Sequence, residues 1–393
     1  MEWNLNTDLC TGCCACVDVC PVGAISMEIG PSGSRRPKLN DELCISCSKC
    51  KKVCPQFVLP AVEGAEKNIY IGVCEEVALY QKSSSGGIFA ALATSFLNRG
   101  GVVYGAAMGL DGGIVSCRHL RVSKKEDLHL IQGSKYVQSK MDGIYRQIKE
   151  DLKEGKEVLF SGTSCQVAGV KNVIGDHDNL YTVDLVCHGV PKDSIFNEYI
   201  KFLEGRYNGK VEDLSFRVKG FRNFWTDSSY VLKLTYKTEK GSRIVYIPKD
   251  NSAYFKLFLS RAGYRESCYS CSFASLDKVS DMTLGDFRPS PEEKKLYTLD
   301  SNKTYSSIIV HSSKGAQLMR NGKNLIWFRD FSAEEMVKHH SNLQRPSSMT
   351  KAGEEALSVY QKQGFGGLQK QIDRFFLMNQ LKSSLVRVVK RFR

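Results

Sequence analysis

The pattern Cys-x2-Cys-x2-Cys-x3-Cys-Pro occurs twice near the start of this 393-residue chain. The first copy is Cys10, Cys13, Cys16 and Cys20 ahead of Pro21; the second is Cys44, Cys47, Cys50 and Cys54 ahead of Pro55. This is the spacing of [4Fe–4S] ligation, in which the fourth cysteine of each run serves the other cluster. Three closely spaced thiolates wrap three corners of one cube, and the chain then crosses over to cap the second. One cluster is therefore expected on Cys10, Cys13, Cys16 and Cys54, and the other on Cys44, Cys47, Cys50 and Cys20. Cys14 falls between ligand positions and reads as a bystander. Structural zinc needs neither four cysteines per run nor the trailing proline. The runs point to electron transfer.

The two runs are related by a shift of 34 residues, an internal duplication of the kind seen in bacterial-type two-cluster ferredoxins. Residues 1–60 are read as that ferredoxin domain, with Gly30 to Pro37 as a loop, and residues 61–67 as a linker. Nine of the 15 cysteines lie before residue 55 in cluster-binding order. The opening Met1-Glu2-Trp3-Asn4 lacks the basic and apolar regions of a secretory signal. Thiolates that bind iron must stay reduced, so a cytoplasmic location is expected. No run of about 18 apolar residues suggests a membrane span.

From residue 68 the pattern becomes α/β. Strands are expected at Asn68–Val73, Gly101–Ala107, Glu157–Phe160, Tyr181–Cys187 and Thr283–Phe287. Between them lie helical stretches at Ile88–Asn98, over 141–154 and from about Cys165, and Asp193 or Ser194 is placed to N-cap a helix ending at Leu203. This alternation argues for a mainly parallel sheet with helices on its faces, filling residues 68–345. Residues 346–393 form a tail whose last helix carries Leu368, Ile372, Phe375, Met378, Leu381, Leu385, Val388 and Phe392 on one stripe. Seven basic residues stand against the single acid Asp373 between 370 and 393. Such a helix can lie on an anionic membrane surface or pack on its own domain.

Six cysteines remain. Cys74 and Cys117 sit in apolar strand-like surroundings and read as core. Cys165 and Cys187 each follow a predicted strand, and in a parallel sheet those ends share the edge where α/β proteins bind ligands. Cys268 and Cys271 form a Cys-x2-Cys just before the strand ending Gly285-Asp286-Phe287. Four thiols at one edge can hold a third [4Fe–4S] cluster; a zinc ion, or no shared ligand at all, is equally compatible with the spacing.

Several motifs come in an order that resembles one family. They are Ser83-Ser84-Ser85-Gly86-Gly87, Gly133-Ser134-Lys135-Tyr136-Val137-Gln138-Ser139, Gly162-Thr163-Ser164-Cys165-Gln166, Val186-Cys187-His188-Gly189-Val190-Pro191, Cys268-x2-Cys271 and Leu284-Gly285-Asp286-Phe287. Over roughly residues 1–340 the chain is similar to the coenzyme F420 hydrogenase/dehydrogenase beta subunits that carry an N-terminal two-cluster ferredoxin. The resemblance implies an FAD-dependent iron–sulfur oxidoreductase, with a flavin and iron–sulfur domain over 68–345. Its partners would be a ferredoxin, hydrogenase or dehydrogenase and coenzyme F420 or another organic acceptor. Similar proteins also occur with surface-polysaccharide biosynthesis. Ser164 stands where the family usually has proline, and Arg288 where an aromatic commonly follows the Gly-Asp-Phe motif.

The resemblance also implies a flavin site. Ser85, Gly86 and Gly87 open a helix, where backbone N–H groups can hold a pyrophosphate; they can equally be an ordinary helix start. Ser134 and Lys135 would approach the phosphates or the reduced flavin, and Tyr136 would stack on a ring. Each could instead be a plain loop or packing residue. His188, directly after a proposed ligand, could relay protons or stabilise a turn. Asp286 would bind a ribose hydroxyl or the flavin edge, or end its strand. The net charge of +13 shrinks once clusters and a flavin are counted, so nucleic acid is not an expected partner.

Overall fold

The computed structural model describes residues 7–62, 67–221 and 230–391, with side chains described up to Met378. The expected stripe positions Leu381, Leu385, Val388 and Phe392 lie outside the described side chains. In chain order the strands are β1 (Ile25–Ile29), β2 (Arg35–Leu39), β3 (Asn68–Cys74), β4 (Val102–Asp111), β5 (Ile114–Val122), β6 (Val158–Ser161), β7 (Leu180–Leu185), β8 (Lys210–Arg217), β9 (Tyr230–Thr238), β10 (Gly241–Pro248), β11 (Met282–Phe287), β12 (Tyr305–Val310) and β13 (Ile326–Asp330).

An eight-stranded sheet in the order β13-β3-β12-β11-β7-β6-β4-β5 forms the body. The pairs β11–β7, β7–β6 and β6–β4 are parallel, and β3 runs in the same direction. The mainly parallel α/β sheet is thus present at the centre, with antiparallel strands β5, β12 and β13 added. Alternation along the strands sorts side chains to two faces. Val103 and Leu159 pack with Ile88, Leu92 and Phe96 of helix Ile88–Asn98. Val102, Tyr104, Val158 and Phe160 pack with Ile144, Ile148, Val167 and Val170 of helices Ile144–Lys153 and Ser164–Ile174. Cys13, Cys14 and Ala15 join this second core, so the ferredoxin part covers one face of the body.

Within the ferredoxin part, β1 and β2 form an antiparallel hairpin; Arg35 to Pro37 belong to β2, where the sequence pattern suggests a loop. Backbone pairing with Met27 to Ile29 decides this, despite a proline on the edge strand. Helix Asp193–Tyr207 begins after Lys192 and has no side-chain cap. Asp193 instead accepts the Arg35 backbone N–H at 2.9 Å, so its carboxylate serves the module contact. Strands β8, β9 and β10 make a separate antiparallel sheet that packs with helix Ala253–Leu259 and with Ala356, Phe365 and Leu368 of the C-terminal helix. That helix, Lys351–Arg391, bends at Gly364, whose φ is +63°. Phe375 and Met378 are exposed, while Leu368 is buried and Ile372 packs against the core.

Gly86 shows how tightly the sheet edge is built. A Cβ there would lie 2.6 Å from the Gly72 carbonyl oxygen and 2.7 Å from the Ser306 nitrogen, both backbone atoms. Gly86→Ala is expected to destabilise the protein by about 1–3 kcal/mol, as overpacking of a closed site does. Thermal denaturation of the variant beside wild type measures this.

Candidate functional site

Thiols come together in three groups. In the ferredoxin part, Cys10 and Cys54 both act electrostatically on Cys13 and on Cys16, and Cys20 and Cys47 act on Cys50. A pocket lined by Cys20, Cys44, Cys47 and Cys50 opens beside Val22 and Ile45. Cys54 of the second run thus lies near Cys13 and Cys16 of the first, and Cys20 of the first near Cys50 of the second, the grouping that a crossed pair of clusters would use. Cys14 is the N-cap of helix Ala15–Asp18, with its thiol toward the Gly12 carbonyl, and it too acts electrostatically on Cys13 and Cys16. Cys74 and Cys117 are buried.

The third group forms beyond the C-terminal ends of the parallel strands. Cys165 begins helix Ser164–Ile174, whose Thr163/Gln166 capping box fixes the turn after β6; the Thr163 N–H donates to Gln166 Oε1 at 3.0 Å. Cys187 follows β7. The next residues are bound to the loop before Cys268: Arg265 N–H donates to Val190 O at 3.0 Å and Lys192 N–H to Gly263 O at 2.9 Å. Gly189 makes this possible, because its φ is +123° and a Cβ would strike the Tyr264 ring. Cys271 acts electrostatically on Cys165, Cys187 and Cys268. Burial, then neighbouring thiols, pushes the Cys165 and Cys268 thiols up to about 12. Among the described residues no three Cys, His, Asp or Glu side chains converge closely enough to bind one metal ion. Cys13 also acts on Cys165, and the Cys13 sulfur lies 3.3 Å from where a Cβ of Gly169 would sit, so the inner ferredoxin group adjoins the third group.

A polar cluster occupies the same sheet edge. Asp286, near the end of β11, accepts from Arg217 at 2.8 Å and from Arg288 at 2.8 Å. Arg217 also donates to the Tyr136 hydroxyl at 3.1 Å and the Ser84 carbonyl at 2.7 Å. Both guanidinium groups lie over the Tyr230 ring, at 4.5 and 4.7 Å from its centre. Burial opposes charge on Asp286, yet Arg217 and Arg288 hold its carboxyl down at about 2. Lys219 donates to the Ser85 carbonyl at 2.5 Å and sits over Tyr80; burial and then Arg217 lower its ammonium to about 7.

The structure joins some of the residues singled out in the sequence and separates others. Tyr136 and Asp286 meet through Arg217. The Ser134 N–H donates to Ser84 Oγ at 2.7 Å, which holds the two loops together. Ser85 Oγ donates to the Tyr305 carbonyl, and the Gly86 N–H donates to Ser306 Oγ. Gly87 is the N-cap of helix Ile88–Asn98 with φ +84°. Lys135 turns to the Gln132 carbonyl at 2.7 Å; its ammonium is enclosed although the residue is only half-buried, and burial lowers it to about 8. His188 is exposed at its edge, but partial burial and then Arg261 lower its imidazole, with Asp286 opposing. It stands between Cys187 and Asp286. Sequence reading missed Arg217, Lys219, Tyr230 and Tyr80. The Arg-x-Lys alternation of residues 217–219 was the one available signal, and on a strand end it is indistinguishable from a solvated face.

Comparison with known proteins accords with this geometry. Residues 155–333 match the family model for the C terminus of the coenzyme F420 hydrogenase/dehydrogenase beta subunit, and residues 9–58 match the 4Fe-4S dicluster domain. Residues 155–333 are thus similar to the C-terminal part of that beta subunit, and residues 9–58 to a dicluster ferredoxin module. The similarity expected from the motifs is thereby shown, and with it an iron–sulfur electron-transfer role for this beta-subunit relative. Among solved structures, one chain of the F420-reducing [NiFe] hydrogenase complex from Methanosarcina barkeri, studied by xenon derivatization, matches at 17% identity and a TM-score of 0.44, covering 77% of this chain and 91% of that one. Comparison with curated proteins gives no match.

Asp286→Asn leaves Arg217, 4% exposed at its side chain, without its carboxylate. Breaking one side of such a pair is expected to cost about 2 kcal/mol or more, read from urea denaturation at neutral pH. Because folding depresses the Asp286 pKa, its stabilisation is present above the usual aspartate value and fades as pH falls toward about 2. The difference between wild type and variant should therefore shrink on acidification.

Proposed function

We propose that this beta-subunit relative is an FAD-dependent iron–sulfur oxidoreductase. It exchanges single electrons with a redox partner, and a hydride equivalent with coenzyme F420 or another organic acceptor. The observation that carries this reading is the succession of thiol groups, from the one opening at Cys47 through Cys10, Cys13, Cys16 and Cys54 to Cys165, Cys187, Cys268 and Cys271. Clusters bound to such thiols supply one-electron transfer, and a flavin supplies the conversion to two-electron chemistry. Arg217 and Arg288, held by Asp286 and Tyr230, would orient an anionic or aromatic ligand at the sheet edge. Tyr136 supports that arrangement through its hydroxyl. His188 would relay a proton to the flavin, with its lowered imidazole pKa favouring the neutral, proton-accepting form. Ser85, Gly86, Gly87, Ser134 and Lys135 supply the loops that shape this edge. In the surface-polysaccharide setting the acceptor would be an envelope precursor.

A second reading, an electron-relay protein that docks and feeds a partner enzyme without its own substrate, is favoured by the rim of the outer thiol pocket. Val22 and Ile45 are exposed there, at 40% and 60%. Anaerobic reconstitution tests both readings. Wild type is expected to bind about twelve irons per chain and to show flavin absorbance that dithionite bleaches. Cys271→Ser should lose about four irons and leave the spectra of the ferredoxin clusters unchanged. An unchanged iron count removes the third cluster, and protein that never retains flavin leaves only the relay reading.

The C-terminal helix supports a proposal about location. No helix among the described residues is long and apolar enough to cross a membrane. Phe375, Leu377 and Met378 are exposed at 64%, 56% and 56%, just past the packed residues Leu368 and Ile372. With the basic residues beyond, they would rest on an anionic leaflet, each Lys or Arg near it contributing about 1 kcal/mol. In a flotation assay, full-length protein should rise with anionic but not neutral vesicles, and a chain ending at Arg374 with neither. Equal behaviour of both chains makes the helix a structural element alone.

A further inference from the structure

Arg265 is the largest fully buried side chain among the described residues, 2% exposed. Nothing in the sequence marked it, and the flavin and thiol arrangements above do not use it. Its guanidinium leaves the body and enters the ferredoxin part. It donates to the Cys10 carbonyl at 2.9 Å and the Arg35 carbonyl at 2.6 Å, and it lies 3.4 Å from the Asp193 carboxylate. Ser267 adds a second bond to the Cys10 carbonyl at 3.1 Å. The guanidinium lies flat under Gly12: a Cβ there would be 3.1 Å from its carbon and from both terminal nitrogens. Gly12 in turn donates its N–H to the Cys10 sulfur at 3.3 Å. Three residues after Arg265 comes Cys268 of the third thiol group. One planar cation therefore touches the loop carrying the inner ferredoxin thiols and stands over the loop carrying the body thiols.

Its charge is only partly answered. Asp193 divides its carboxylate between Arg265 and the Arg35 N–H, the Arg35 side chain is paired with Asp142, and Arg265 Nε is buried without a hydrogen-bond partner. A buried guanidinium is costly unless something negative repays it, and the negative groups on either side of this one are thiolates once iron is bound. We infer that Arg265 is a positioning residue that pegs the ferredoxin part to the body and, as a fixed positive charge between the two thiol groups, raises the reduction potential of the centres on both sides. The physical reason is that reduction adds negative charge, which a nearby desolvated cation stabilises. Lysine cannot reproduce the peg, because a single ammonium cannot bridge two carbonyls and a carboxylate in one plane.

The inference rests on the iron–sulfur reading of these thiols. It is tested on full-length, anaerobically reconstituted protein by redox titration followed by electron paramagnetic resonance, together with amide hydrogen exchange over residues 10–16. Arg265→Met is expected to shift the Cys10, Cys13, Cys16 and Cys54 centre to lower potential by about tenfold in its reduction equilibrium, ~59 mV for one electron. The Cys20, Cys44, Cys47 and Cys50 centre should stay in place as an internal reference. Arg265→Lys is expected to keep the potential near wild type while exchange over residues 10–16 quickens about tenfold. A potential unchanged in Arg265→Met overturns the inference whatever happens to exchange; so does equal movement of both ferredoxin centres. Iron at the body thiols is not needed for this result, so failure of the third cluster and failure of the inference are separately visible.

Discussion

The structure depends on the burial of thiols that must become anions to work. Burial pushes Cys13, Cys165 and Cys268 up to about 12, so at neutral pH without iron they are uncharged, apolar side chains. As such they pack: Cys13 belongs to the same core as Val102, Tyr104, Phe160 and Val167. Iron binding requires the same thiols to lose their protons, and the metal's charge supplies what the surroundings withhold. The face between the ferredoxin part and the body can thus be a hydrophobic core in one state and a ligand shell in another. Proton release couples the two states, and iron uptake becomes steeper as pH rises.

The parallel centre of the sheet makes the meeting possible. Strands running in one direction end on one edge, and the turns after β6 and β7 deliver Cys165 and Cys187 there without long excursions. Cys268 and Cys271 reach it differently, by backbone pairing of their loop with the residues after Cys187. The same edge receives Asp286 from β11 and the Ser83–Gly87 turn after β3. Antiparallel strands β5 and β13 at the flanks, and β12 between β3 and β11, widen the sheet without adding C-terminal ends to this edge. The separate β8–β10 sheet then brings Arg217 and Tyr230 in from the side.

Much of this was legible because spacing encodes it. The ferredoxin module, helix Ile88–Asn98 and the parallel strands all follow from short-range pattern. Strands β8 and β10 did not announce themselves for physical reasons. Register shifts between Val211 and Asp213, and between Ser215 and Arg217, break the two-residue period of β8. Strand β10 is exposed over most of its length, so no apolar face marks it. The site divides similarly. Cysteines are rare and informative by position, whereas Arg217, Lys219 and Arg265 look like any surface cation until tertiary contacts bury them. Lys135, singled out by its motif, has its ammonium held by backbone carbonyls of its own loop, a placement that spacing does not reveal.

Surroundings differ between the outer thiol group and the two inner ones. Cys47 is exposed, whereas Cys13 is buried in the core and burial raises the Cys165 and Cys268 thiols of the body. Water and backbone N–H groups favour the more negative, reduced form of a cluster, and apolar surroundings disfavour it. Three otherwise equal centres would therefore fall in potential from the outer group inward, and electrons would collect at the wet end. A succession with that slope conducts inward only if something restores the inner sites. Arg265 is the feature placed to do so: it is a cation at the junction of the two inner groups, shielded from salt by burial and out of reach of the outer one. The cost of hiding that charge is offset in the folded chain by two carbonyls and Asp193, which is why the peg and the field come from the same side chain.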